Sequence, residues 1–176
     1  MRTDRVTIAL VVLCCLLGTA DAQLRQREPL APDEIDQLRD AAMDPALRLK
    51  LYTHFARTRL VSLAQMRNDP KITDRGQQTH DRLQEFVDIY DELNENIDNF
   101  IERKEDMRKP LKAVMEADNE FRAKLLGLKG AADAGSKEAE QYRFLLDSAL
   151  EMVATGLEDH RDLLDKQEEA AKHRRR

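Results

Sequence analysis

Thiols are almost missing from this 176-residue chain: its two cysteines, Cys14 and Cys15, both sit inside the apolar run from Val6 to Leu17. If that run is removed on export, what remains has no thiol, which excludes disulfides, cysteine nucleophiles and thiolate metal sites together. A cysteine-free product suits an oxidising compartment. Small exported domains often lean on disulfides, so this one must be held by its core alone. Tryptophan is absent, aromatics make up 5% of the chain and the net charge is -5. A mildly acidic chain with so few stacking side chains is a poor nucleic-acid binder. Catalytic motifs are also missing. The sequence has no Gly-rich phosphate loop, no Gly-x-Ser-x-Gly, no His-Glu-x-x-His and no calcium loop. None of His54, His80, His160 or His173 follows a Glu by three residues, as the ligands of di-metal bundles do. Neither catalytic residues, a cofactor nor a metal site is expected.

The N-terminus reads as an export signal. Arg2 and Arg5 precede the apolar run, and Ala20 and Ala22 are the small residues a signal peptidase reads. Cleavage is expected between Ala22 and Gln23, leaving the protein periplasmic or extracellular. As a helix the run rises only about 18 Å against about 30 Å of hydrocarbon, too little to span a bilayer. Residues 23–31 follow as a flexible leader, 32–172 as a single helical domain and 173–176 as a basic tail.

An apolar seam between Leu83 and Leu128 dominates the rest. One seam position reads Phe86, Leu93, Phe100, Met107, Val114, Phe121, Leu128, and its companion reads Leu83, Tyr90, Ile97, Lys104, Leu111, Asp118, Leu125. Lys104 and Asp118 are the polar breaks. A sustained seven-residue repeat indicates helices packed lengthwise with a left-handed supercoil, so the expected fold is all-α: an elongated, coiled-coil-like antiparallel bundle. Three main helices and a short N-terminal one are anticipated. The short helix starts at Pro32, with Asp33 and Glu34 in its first turn. A second helix begins after Asp44-Pro45 and runs to about Arg67, where Asn68-Asp69-Pro70 breaks it. The long seam helix then runs from the region of Asp74 to about Lys129, bent at Pro110. Gly127, Gly130 and Gly135 mark a hairpin, and Ser136 caps a last helix bearing Tyr142, Leu146, Leu150, Val153, Leu157 and Leu164 on one face.

A few residues break the pattern and are the candidate polar core or interaction positions. Arg48 and Arg59 fall on the apolar arc of the second helix, where their stems can lie on apolar neighbours while the heads reach water, a carboxylate or an anionic ligand. His160 lies at the centre of the last helix's apolar face. If the hairpin pairs Leu128 with Ser136, His160 falls opposite Lys104 as a polar layer that sets the register, or as a pH-sensitive contact. Asp118 is expected to be half exposed. The middle helix outruns its neighbours, so Ile97, Phe100 and Ile101 are a possible interface, covered by self-association. Lys172, Arg174, Arg175 and Arg176 could touch an anionic membrane surface.

The expected function is that of an exported, non-catalytic structural, scaffold or chaperone-like interaction module whose partner is a protein. The alternative is a carrier of a small molecule, haem or metal built inside the bundle, for which His160 with Met107 or Met115 would supply an inward pair.

Overall fold

Heptad spacing continues through residues 83–128, but the helix does not. In the computed structural model, which describes residues 28–133 and 137–174, helices α1 (Pro32–Asp40) and α2 (Pro45–Asn68) are followed by α3 (Arg75–Glu102) and α4 (Arg108–Asp133), then by a 3-10 segment (Lys137–Gln141) and α5 (Arg143–Arg174). The described residues are 86% helical and contain no strand. None of these helices is long and apolar enough to cross a membrane. The stretch read from the sequence as an export signal, the first residues of the expected leader, Gly135, Ser136, Arg175 and Arg176 lie outside the described residues.

One long helix with a kink at Pro110 is thus replaced by two helices and a turn, giving four long helices where three were expected. The end of α3 shows why. Lys104 adopts φ 61°, its N–H donates to the Ile101 carbonyl at 2.9 Å, and the Glu105 N–H donates to the Phe100 carbonyl at 3.0 Å. These paired bonds around a left-handed residue stop a helix and satisfy its last carbonyls. Pro110 stands in the first turn of α4, where amide donors have no helical partner and a proline costs nothing. Gln167 of α5 secures the turn from outside. Its Oε1 accepts the Met107 N–H at 2.8 Å, and its Nε2 donates to the Glu105 carbonyl at 2.9 Å.

Lys104 is therefore an exposed turn residue and not a polar layer in a helical seam. Glycine is the usual occupant of such a position, because a Cβ there crowds the backbone. Lys104→Gly is expected to raise the unfolding free energy by about 1 kcal/mol in urea titration, and a loss of stability would contradict this account of the turn.

The two halves of the seam fold back on each other about that turn. Phe86 meets Phe121 edge to face at 5.4 Å, and Tyr90 stacks near Phe86 while reaching Asp118. Around the bundle α2 packs on α3 and α4, while α5 packs on α4 and α3. α3 and α4 thus meet diagonally, through side chains across the core. Ile97 and Phe100 are buried within the chain and Ile101 is partly buried against the core, so the stretch proposed as an interface is covered by the chain's own helices.

The second hairpin also turns later than Gly127 to Gly135 suggested. Gly127 and Gly130 lie inside α4, which continues to Asp133. α4 and α5 are consequently in a different register, with Lys129 beside Asp147, Lys112 beside Glu168 and His160 beside Asp118.

Candidate functional site

The two arginines on the apolar arc of α2 hold α1 in place. Near the N-terminal end of α1, Arg59 Nη1 donates to Glu34 at 2.8 Å and Nη2 to the Pro29 carbonyl at 2.8 Å, with Glu85 of α3 at 3.4 Å from Nε. Glu34 also accepts the Ala31 N–H at 2.8 Å, the half of a capping box that an alanine N-cap can make. Burial raises the Glu34 pKa, but the Arg59 hydrogen bond, the Ala31 N–H and the Arg59 charge outweigh it and leave the carboxyl below its usual range. At the other end of α1, Arg48 donates to the Leu38 carbonyl and to Asn96 Oδ1 at 2.6 Å. Tyr52 joins this group through Glu92 at 3.1 Å and Asn96 at 3.2 Å. Leu30, ahead of α1, is buried and so is part of the packed structure.

The second polar constellation lies in the middle of the four-helix core. Tyr90 of α3 donates its hydroxyl to Asp118 Oδ1 at 2.9 Å, and Asp118 Oδ2 of α4 lies 2.8 Å from His160 Nδ1 of α5. All three are inaccessible or nearly so: Tyr90 and Asp118 are 0% exposed and His160 is 3% exposed. Asp118 is thus fully buried and not half exposed, and His160 faces it, about four helical turns of sequence beyond Lys104. Burial first, then the Asp118 charge and hydrogen bond, push the Tyr90 pKa well above the usual phenol range. The phenol therefore stays a donor. The Asp118 carboxylate already accepts the Tyr90 hydroxyl at Oδ1, so Nδ1 is the His160 nitrogen that pairs with Oδ2, and Nε2 is left without a partner among the described residues.

Gly156 makes room for this arrangement, since a Cβ there would stand 2.4 Å from the Tyr90 hydroxyl. Gly156→Ala is expected to cost about 1–3 kcal/mol by overpacking, enough to outweigh the gain in helix propensity. Gly127→Ala, where nothing lies within 4 Å, should add about 0.5–1 kcal/mol. Thermal unfolding of the two variants shifting in the same direction would contradict the close approach at Gly156.

Alkaline pH tests the same site. An unfolded tyrosine ionises near pH 10. With its folded value raised, Tyr90 contributes in full below that pH, and its contribution is lost as the pH climbs above it. The urea midpoint should fall above about pH 10, less steeply in Tyr90→Phe.

Between α3 and α5 a groove of about 270 Å³ opens onto this constellation, lined by Asn94, Asp98, Asp159 and His160 among others. Asn94 Oδ1 is buried and has no hydrogen-bond partner among the described residues. No group of three His, Cys, Asp or Glu side chains among the described residues is placed to hold a metal ion. Of the sequence-derived candidates, Arg48 and Arg59 share the task of fixing α1 and Lys104 stands apart in the turn. His160 joins Tyr90 and Asp118, a pairing signalled by the fact that Asp118 and His160 were both polar breaks in otherwise apolar faces. No family model, curated protein or solved structure matches the chain.

Proposed function

We propose that this chain is an exported, non-catalytic helical protein that acts as a structural, scaffold or chaperone-like interaction module. Phe144 carries the reading: this aromatic is left 87% exposed in the first turn of α5. Leu126 of α4 and Val61 of α2 are exposed as well, in the half of the bundle remote from the Lys104 turn. An isolated exposed leucine means little, but an aromatic side chain held in water is typical of protein contact surfaces. The buried polar residues support the same reading, because Glu34, Thr53, Thr79, Glu85, Asp118 and His160 each bond within the fold. The basic C-terminus, with Lys172 exposed on the last turn, is a secondary contact for anionic lipid.

Photo-crosslinking in the native cells tests the reading. A photoreactive residue at 144 should give a discrete protein adduct, and one at the exposed position 151 should not; equal or absent adducts would remove the proposed surface. N-terminal sequencing of the same material should begin at Gln23. The groove favours a second reading, a small-molecule carrier, because Asn94 Oδ1 and His160 Nε2 are both unpartnered there.

A further inference from the structure

We infer that the groove between α3 and α5 is a binding site for a small aliphatic amine, whose primary ammonium is received by Asn94 and His160 and whose charge is matched by Asp98 and Asp159. The inference rests on the carrier reading and gives it a ligand class.

The floor of the groove supplies acceptors. Asn94 Oδ1 is buried and unpartnered, an uncommon state for a side-chain carbonyl inside a folded protein. His160 is 3% exposed, and its Nδ1 is committed to Asp118 at 2.8 Å. Nε2 is the ring nitrogen left over from this contact, and in a neutral ring bonded through Nδ1–H it is an acceptor. Tyr90 occupies the other Asp118 oxygen, so the carboxylate cannot turn away and release the ring. The rim supplies charge: Asp98 and Asp159 are exposed, and no Lys or Arg among the described residues lines the groove.

An asparagine, a histidine and two carboxylates around one groove call for a donor-rich cation. A primary ammonium has three N–H donors, and Ile97 and Leu163 along the walls would cover a short alkyl chain. A metal ion fits less well, since no three-ligand group stands among the described residues. The volume of about 270 Å³ falls just below the range of sites for drug-sized ligands, which points to a ligand of few heavy atoms.

The experiment titrates 15N-labelled protein with n-pentylamine, following the Asn94 side-chain amide and the His160 ring by NMR. Saturable shifts at both residues in the millimolar range or below are expected. Asp98→Asn with Asp159→Asn, both at exposed positions, should weaken binding about tenfold without changing the fold. 1-Pentanol, which lacks the charge, and tetramethylammonium, which lacks the donors, should each bind at least about tenfold less tightly. A capped lysine peptide separates sources: preference for pentylamine indicates a free amine, and preference for the peptide indicates a partner's lysine side chain, the same chemistry in either case. Saturable binding of hexanoate in preference to pentylamine would overturn the amine and leave a carrier standing. No saturable shift with any probe would overturn both, and so would shifts unaffected by the Asp98 and Asp159 substitutions with all probes equal.

Discussion

Asp118→Ala is expected to lower the unfolding free energy by about 3–5 kcal/mol, because it removes the one acceptor shared by two buried groups. The Tyr90 hydroxyl and His160 Nδ1 both end on Asp118, neither has another partner among the described residues, and both side chains are buried. A buried donor left without an acceptor costs about 1–3 kcal/mol, and the vacated volume adds a cavity. Tyr90→Phe alone should cost less, about 1 kcal/mol, since Asp118 then still holds His160. The three-residue replacement Tyr90→Phe, Asp118→Leu, His160→Leu separates stability from specificity, because apolar replacement of a whole buried polar group is often neutral or stabilising. Urea unfolding should find the triple variant more stable than Asp118→Ala. If the single change costs less than about 1 kcal/mol, the three residues do not form the buried unit described.

The second large effect is expected at Phe100. Its side chain is 3% exposed at the last turn of α3, the Arg103 guanidinium lies 5.4 Å from its ring centre, and its carbonyl accepts the Glu105 N–H that closes the turn. Phe100→Ala removes a large side chain from a packed site and should cost about 3–5 kcal/mol, out of about 5–15 kcal/mol for a domain of this size. Glu102→Ala, two residues on and exposed, should change stability by less than about 0.5 kcal/mol. Equal small effects from the two changes would mean that the turn end of the bundle is not packed as described.

Much of the fold was legible because it rests on short-range chemistry. Asp44 before Pro45 marks the start of α2, and the Asp44 side chain does accept the Leu47 N–H at 3.0 Å. The seam named the core: Phe86, Leu93, Met107, Val114 and Phe121 are all buried. What the seam could not reveal was its fold at Lys104. Phe100 and Met107 are seven residues apart whether a helix or a turn joins them, and both must be buried in either case, so hydrophobic spacing is blind to the difference. Pro110 was the available signal, since a proline sits more easily three residues into a new helix than in the middle of an old one. Arg48 and Arg59 were recognisable as misfits, but two of their acceptors, the Leu38 and Pro29 carbonyls, are backbone atoms with no mark in the sequence. The partner of His160 depends on the register of α4 and α5, and that on a turn that lies further along the chain than the glycines imply. Matching the two polar breaks to each other, on the ground that buried polar groups must pair, would have found Asp118.

The turn at residues 103–107 divides the described residues into two stretches of similar length, each an antiparallel helical hairpin, which pack on each other through a shared core. Cleavage after Lys104 would therefore yield two fragments, each exposing the apolar face that only the other can cover. Such fragments should be poorly ordered apart and should reassemble when mixed, with Tyr90 carried by one and Asp118 and His160 by the other. The chain would then behave as a split reporter whose reunion is read in the environment of a single tyrosine.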